Sequence, residues 1–347
     1  MSEVTRPAKI EGIQYMRAVA AVSVIAIHTL NSAVIYFGNR YSIQANVAME
    51  CVENCMWWGV PCFLMITGCL MLSPDKVIDY KNIYGWYIPR MISVLILFGI
   101  PFSWIELIFD AQAISYTQIP TAVYNVLSGN TWAHLWYIYA LIGIYILLPV
   151  WRLITKAANL KDLKYIVCIY IFFFMVCPVL GVFNLDFSKI LKIGIATIYP
   201  CWMFLGYMFS RKMLVVKRNI ACWVLFMTCF LEIVITAVCT TKRIETKLLF
   251  SYNSLLILAQ SCAIFSLLFS LKLRDKNPLK KILLSIGDKS FGIYIIHMFF
   301  VNLFYKAFGI DPFSSVFMCP FLILLNLVLS WGCAFVMKKC PILKRIV

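Results

Sequence analysis

Residues 16–37 read MRAVAAVSVIAIHTLNSAVIYF, with Arg17 as the one formal charge and His28 past the middle. As a helix this run rises about 33 Å, enough to cross the roughly 30 Å hydrocarbon core of a bilayer. It is too long for the apolar region of a signal peptide, carries Arg17 and His28, and lacks a clean cleavage site. It is therefore expected to be a retained transmembrane helix. Nine further runs of similar apolarity follow, near 53–72, 86–109, 135–154, 165–182, 193–210, 220–240, 249–271, 284–308 and 316–337. Pro178, Gly181 and Pro200 interrupt the stretch from which the fifth and sixth runs are divided.

The whole chain has the same character. Of its 347 residues 63% are hydrophobic and 13% charged, and mean hydropathy is +0.87. A water-soluble domain carries about 25% charged residues, so this chain has too little polar surface to wrap a core in water. A disordered chain, a fibrous protein and a cytosolic enzyme are excluded. The expected fold is all-α, a polytopic integral membrane protein of about ten transmembrane helices. It forms one membrane domain over 10–337 with short tails at 1–9 and 338–347 and no appended soluble domain. The loop 110–134 is expected to carry a short interfacial helix.

The net charge of +16 could suggest a nucleic-acid partner. Its distribution argues otherwise. With the N-terminus in the cytoplasm, the inner segments hold twenty Lys and Arg and the outer segments six. This is the bias that orients membrane proteins, so both termini are expected in the cytoplasm, with the lipid bilayer rather than nucleic acid as the partner. The fourteen cysteines lie mostly inside apolar runs. Cys55, Cys62 and Cys69 repeat at seven residues, as do Cys222 and Cys229, as on one helix face. Small residues there let helices pack closely. No C-x-x-C occurs, so no metal site is indicated. A disulfide from Cys51 or Cys55 stays open.

Ionisable groups within hydrocarbon are costly, so each is a candidate site residue. Arg17 and His28 lie eleven residues apart, almost three helical turns, on one face and about 16 Å apart along the axis. An arginine at the membrane edge suits an incoming phosphate or carboxylate, and a buried histidine suits a general base. Ser290, Tyr294 and His297 fall at i, i+4 and i+7, one helical stripe, with Gly287 and Gly292 permitting close approach. Asp288 is expected to cap that helix. His134 stands beside Trp132 and Trp136, where aromatic faces and one polar group could hold a sugar, although an interfacial belt would look the same. Arg90 could share an anion with Arg17. Glu106 lies near the end of its run, and Glu232 has no evident partner.

These motifs together resemble the acyltransferase-3 family of membrane proteins. Arg17 and His28 match its Arg-x10-His signature. Further matches follow in order: Gly59-Val60-Pro61-Cys62-Phe63 with Thr67-Gly68, His134-Leu135-Trp136-Tyr137 with Tyr145 and Pro149, and Ser290-Phe291-Gly292-Ile293-Tyr294 with His297. The resemblance runs over about residues 10–337 and is nearest to stand-alone bacterial members. It implies an approximately ten-helix enzyme of the bacterial cytoplasmic membrane. Such an enzyme takes an acyl group, most often acetyl, from cytoplasmic acyl-CoA to a hydroxyl of an envelope glycan or glycolipid precursor. By carry-over His28 is the catalytic histidine and Arg17 a CoA-side arginine. The chain departs from the pattern at the third run, where Arg90 follows Lys81 in place of several arginines.

The expected assignment is then His28, Tyr294 and His297 as catalytic and Arg17 and Arg90 for acetyl-CoA. His134, Trp136 and Ser290 are expected to hold the acceptor. His28 would take the hydroxyl proton, an acyl-histidine being the variant, and Tyr294 or Ser290 would donate to the oxyanion. The competing reading is a transporter or flippase of a polar or glycolipid substrate, which buried polar groups suit equally. A haem-b or quinone protein ligated by His28 and His297 is a third.

Overall fold

Backbone N–H and C=O groups find no water in lipid, and a helix pairs them within its own segment. The computed structural model describes residues 11–182, 197–242, 250–315 and 317–347, and every regular element among them is helical. The main helices are α1 (Glu11–Phe37), α2 (Ile43–Asn54), α3 (Gly59–Met71), α4 (Tyr80–Ala111), α5 (Ile119–Ser128) and α6 (Trp136–Ala157). They continue with α7 (Leu160–Leu180), α8 (Tyr199–Ser210), α9 (Arg218–Thr241), α10 (Leu255–Phe269), α11 (Pro278–Asn302) and α12 (Met318–Met337). Eight helical stretches among the described residues are long and apolar enough to cross a membrane. They are those of α1, α2 with α3, α4, α6, α7, α9, α11 and α12. The chain is a multi-pass membrane protein.

Helices α8 and α10 have 12 and 15 residues, shorter than a crossing requires. The expected runs 193–210 and 249–271 begin outside the described residues. So do the expected tail 1–9 and most of the polar segments 183–192 and 241–248. The short helix expected within 110–134 is α5.

Four expectations need correction. The run 53–72 is not one helix: the chain turns at residues 55–58 between α2 and α3. Pro61 has no N–H to return to the carbonyl of Trp57, but in the first turn of α3 none is needed, so the helix restarts there. Cys55 therefore leaves the face of Cys62 and Cys69, which are buried. Cys222 is exposed on the outside of α9 and Cys229 is half-buried, so that pair is not a shared packing seam. All fourteen cysteines are free thiols, including Cys51 and Cys55. Finally, Asp288 caps nothing. Helix α11 starts ten residues earlier, with Pro278 in its first turn and Asn277 accepting from the Leu279 amide at 2.9 Å. Asp288 instead receives the Lys338 ammonium from beyond α12, at 2.9 Å.

Helix α1 is the axis of the bundle and packs against α2, α3, α10, α11 and α12. Its closest neighbour is α11, where a Cβ at Gly287 would stand 2.2 Å from the Gln14 carbonyl oxygen. Helices α3 and α8 are clamped alike: Gly68 faces the Met203 carbonyl and Gly206 the Met65 carbonyl, each 1.9 Å from where a Cβ would be. Only hydrogen fits at such crossings. Helix α4 has two wide turns, Ile83–Tyr87 and Leu95–Gly99, directly before Ile88-Pro89 and Ile100-Pro101. The prolines remove ladder donors and the backbone widens to compensate. This bend sets Arg90 toward α1 and α11. In residues 338–347, expected as a short tail, Ile346 and Val347 are buried.

Candidate active site

The three histidines of the chain come from α1, α11 and the turn before α6, and they meet. His28 lies 5.2 Å from His297 and 6.4 Å from His134, and His134 lies 5.1 Å from His297, between ring centroids. His134 and His297 are buried. Their hydrogen bonds define their tautomers, since a carbonyl can only accept. His134 donates from Nε2 to the Ile295 carbonyl at 3.1 Å, and His297 donates from Nδ1 to the Tyr294 carbonyl at 2.6 Å. The other nitrogens, His134 Nδ1 and His297 Nε2, are left as lone-pair acceptors without a protein partner. The Tyr294 hydroxyl donates to the His134 carbonyl. Asn326 donates to the His297 carbonyl at 3.2 Å and is itself held by Ser330, which fixes α11 against α12.

Two cavities flank this cluster along α1. The first, about 340 Å³, opens toward the Arg17 end and is lined by Arg17, Arg90, Tyr137, Tyr145, Ser290 and Tyr294, with Lys338 and Asp288 at its edge. Arg17 and Arg90 therefore do share one cavity. Arg90 donates to the Ile346 carbonyl at 2.7 Å and lies over the Phe291 ring. Next to it is a basic basin of about 600 Å³ lined by Trp86, Arg90, Lys339, Lys344 and Arg345.

The second cavity, about 310 Å³, opens toward the other end of α1 and is lined by His28, Asn31, Glu106, Asp110, Asn125 and Trp132, among others. Lys306 pairs with Glu106 across it, and the indole N–H of Trp132 donates to the same carboxylate at 2.9 Å. Trp132 is buried and stacked on Phe102 at 4.4 Å between centroids, so it is no interfacial residue. Tyr294 borders the first cavity and His28 the second, and His297 stands 5.9 and 5.2 Å from them. The partition is about one ring thick.

The structure thus gathers Arg17, Arg90, Ser290 and Tyr294 on one side and His28 on the other, with His134 and His297 between. Trp136 is the exception. It packs with Tyr199 and Tyr252 at 5.8 and 5.4 Å and lines neither cavity. Trp132, four residues earlier, does line the second cavity. Asp110, Asn125 and Lys306 were not singled out from the sequence. Lys306 was findable as a cation inside an apolar run; the two others sit in the last turn of α4 and in the short α5, with no periodic signal.

No curated protein and no solved structure matches the chain. A family model described as an acyltransferase domain matches residues 10–335. Nearly the whole chain is covered, from the first turn of α1 to the last of α12. The chain belongs to the acyltransferase-3 family and is a multi-pass membrane acyltransferase.

Proposed function

We propose that the protein is an O-acetyltransferase of the bacterial cytoplasmic membrane, with about ten crossings and both termini in the cytoplasm. It moves acetyl from cytoplasmic acetyl-CoA to a hydroxyl of an envelope glycan or glycolipid precursor. One observation carries the reading: a cation-lined cavity and an acid- and amide-lined cavity abut across three histidines. The twenty-to-six bias of Lys and Arg supports a cytoplasmic side for the first.

Arg17, Arg90 and the basic basin beside them suit the phosphates of a nucleotide carrier, bound by charge-assisted hydrogen bonds. Lys339, Lys344 and Arg345, in one basin with Arg90, add cations beside the third run, which itself holds only Arg90 after Lys81. A pantetheine arm on the order of 15 Å matches the Arg17–His28 rise of about 16 Å. On the far side, the Glu106 and Asp110 carboxylates, Asn125 and the Trp132 indole suit a polyhydroxylated acceptor.

In the proposed step, His28 takes the proton of the acceptor hydroxyl as its oxygen bonds to the thioester carbonyl carbon. The carbon–sulfur bond breaks, and the proton passes from His28 to the departing CoA sulfur. His134 and His297, with one lone pair each uncommitted, hold the proton-accepting chamber around His28. The Tyr294 proton is spent on the His134 carbonyl, so Tyr294 acts by positioning, and Ser290, about 10 Å of helix rise from His297, lines the donor's side. The test is saturable binding of acetyl-CoA to detergent-purified protein beside Arg17→Ala. Weaker binding in the variant supports the reading. Absence of binding to acetyl-CoA and to succinyl-CoA moves it to a transporter, for which a polar path along α1 would serve equally.

A further inference from the structure

Helix α9 turns most of its surface outward, yet Thr228, Glu232 and Thr236 form a buried polar stripe against α2 and α10. Glu232 is 0% exposed and so is Gln260 of α10. The Gln260 amide N–H donates to Glu232 Oε2 at 2.9 Å and toward Cys229 Sγ at 3.3 Å. Glu232 Oε1 and Gln260 Oε1 have no partner. Beside them the turn between α2 and α3 brings Cys55. Cys55 Sγ, Cys229 Sγ and a carboxylate oxygen of Glu232 lie within 4.8 Å of one another, and among the described residues they are the one such trio of metal-ligand side chains. None of these residues lines either cavity of the acyl-transfer site.

A carboxylate in an apolar interior is sustained only by a proton or a cation. Two sulfurs and one carboxylate oxygen form the donor set of a borderline-soft divalent ion with tetrahedral preference. With metal–sulfur bonds of about 2.3 Å, tetrahedral donors stand roughly 3.7 Å apart. The trio would contract by about an ångström, within reach of side-chain rotation. The Gln260 N–H, already donating to a sulfur and to the carboxylate, is the outer hydrogen bond that orients such ligands. The fourth position falls to a water or to the free oxygen of Gln260.

We propose that Cys55, Cys229 and Glu232 bind one zinc-class divalent cation that ties α9 to the α2–α3 turn and to α10. Binding replaces the protons of the two thiols and of the carboxyl with the metal. The site is structural and stands apart from acyl transfer.

The test uses the full chain, without a histidine tag, purified in detergent without chelator, with metal content and thiol state measured together. About one zinc per chain is expected, falling at least five-fold in Cys229→Ser and in Glu232→Gln and persisting in Cys222→Ser, whose thiol is exposed. Exchange with cobalt(II) should give a sulfur-to-cobalt absorption band that Cys229→Ser lacks. Metal-free wild type with free Cys55 and Cys229 thiols overturns the proposal. So does a Cys55–Cys229 disulfide found by mass spectrometry, or zinc that survives Cys229→Ser. The wild-type measurement decides even where a variant does not fold.

Discussion

Helices α1 and α9 are nearly indistinguishable by mean hydropathy, 1.9 and 2.2 over their most apolar windows, but their places in the bundle differ. Two-thirds of that window in α1 is buried, against 22% in α9. Both carry ionisable residues within their apolar lengths. In α1 these border cavities, Arg17 the first and His28 the second. In α9, Glu232 is packed against Gln260 with no cavity beside it. A polar residue within the membrane thus has two distinct uses, to face a ligand or to join helices, and the surrounding helices decide which. Hydropathy reports neither, because it counts apolar neighbours in the chain and not neighbours in space.

The contrast breaks first at His28. His28→Ala should lower acetyl transfer by about 10²–10⁴-fold, the usual worth of a general base, while melting temperature and acetyl-CoA binding stay near wild type. Undiminished transfer would remove His28 from the chemistry. The packing of the bundle can be attacked separately at the close crossing of α3 with α8. Gly206→Ala puts a methyl group into the Met65 carbonyl. It should destabilise toward the upper end of about 1–3 kcal/mol, read as a lower melting temperature in detergent. An unchanged melting temperature would mean that α3 and α8 do not lie this close.

Next comes the paired comparison of the two helices. Arg17→Ala should weaken acetyl-CoA binding by about 10- to 100-fold, the loss of hydrogen bonds to a charged group worth about 1.5–3 kcal/mol. Thr236→Val in α9 removes the partner of the buried Asn54 amide, bonded at 2.9 Å. That change should cost about 1–3 kcal/mol of stability and leave acetyl-CoA affinity where it was. If Thr236→Val changed binding as much as Arg17→Ala, the two uses of polarity would not be separable.

What the sequence made legible follows the same division. Arg17, His28 and the stripe Ser290, Tyr294, His297 were readable because each pattern lies within one helix, where spacing alone fixes a shared face. The meeting of the three histidines was not readable, because they lie on separate segments with no fixed spacing between them. Contacts between distant segments left no trace. Lys306 reaches Glu106 across 200 residues, and Glu232 meets Gln260 on the next helix. Asp288 misled for a related reason. Its short side chain near a helix start suggests a cap, but Asn277-Pro278 is the stronger start signal, and Lys338 engages Asp288 from another helix. The turn at residues 55–58 was masked by continuous apolarity, although Pro61 marked it.

The smallest effect belongs to the first turn of α1, where Lys280 of α11 pairs with Glu11 and with Asp275, each at 2.6 Å. Helix α9 has no such tie at Arg218 among the described ion pairs. The hydrogen bond from Lys280 holds the Asp275 carboxyl below its usual range. A carboxyl whose folded pKa is depressed stabilises the fold above its unfolded pKa, and the contribution fades as pH falls through the folded one. With an unfolded value near 3.9, the window is below about pH 4. Both partners sit at the water's edge, where screening keeps such a pair weak. Asp275→Asn should therefore melt slightly below wild type at pH 7, by less in high salt, and the gap should close as the pH is lowered through that window. A gap that widened on acidification would mean that the pair repels rather than holds.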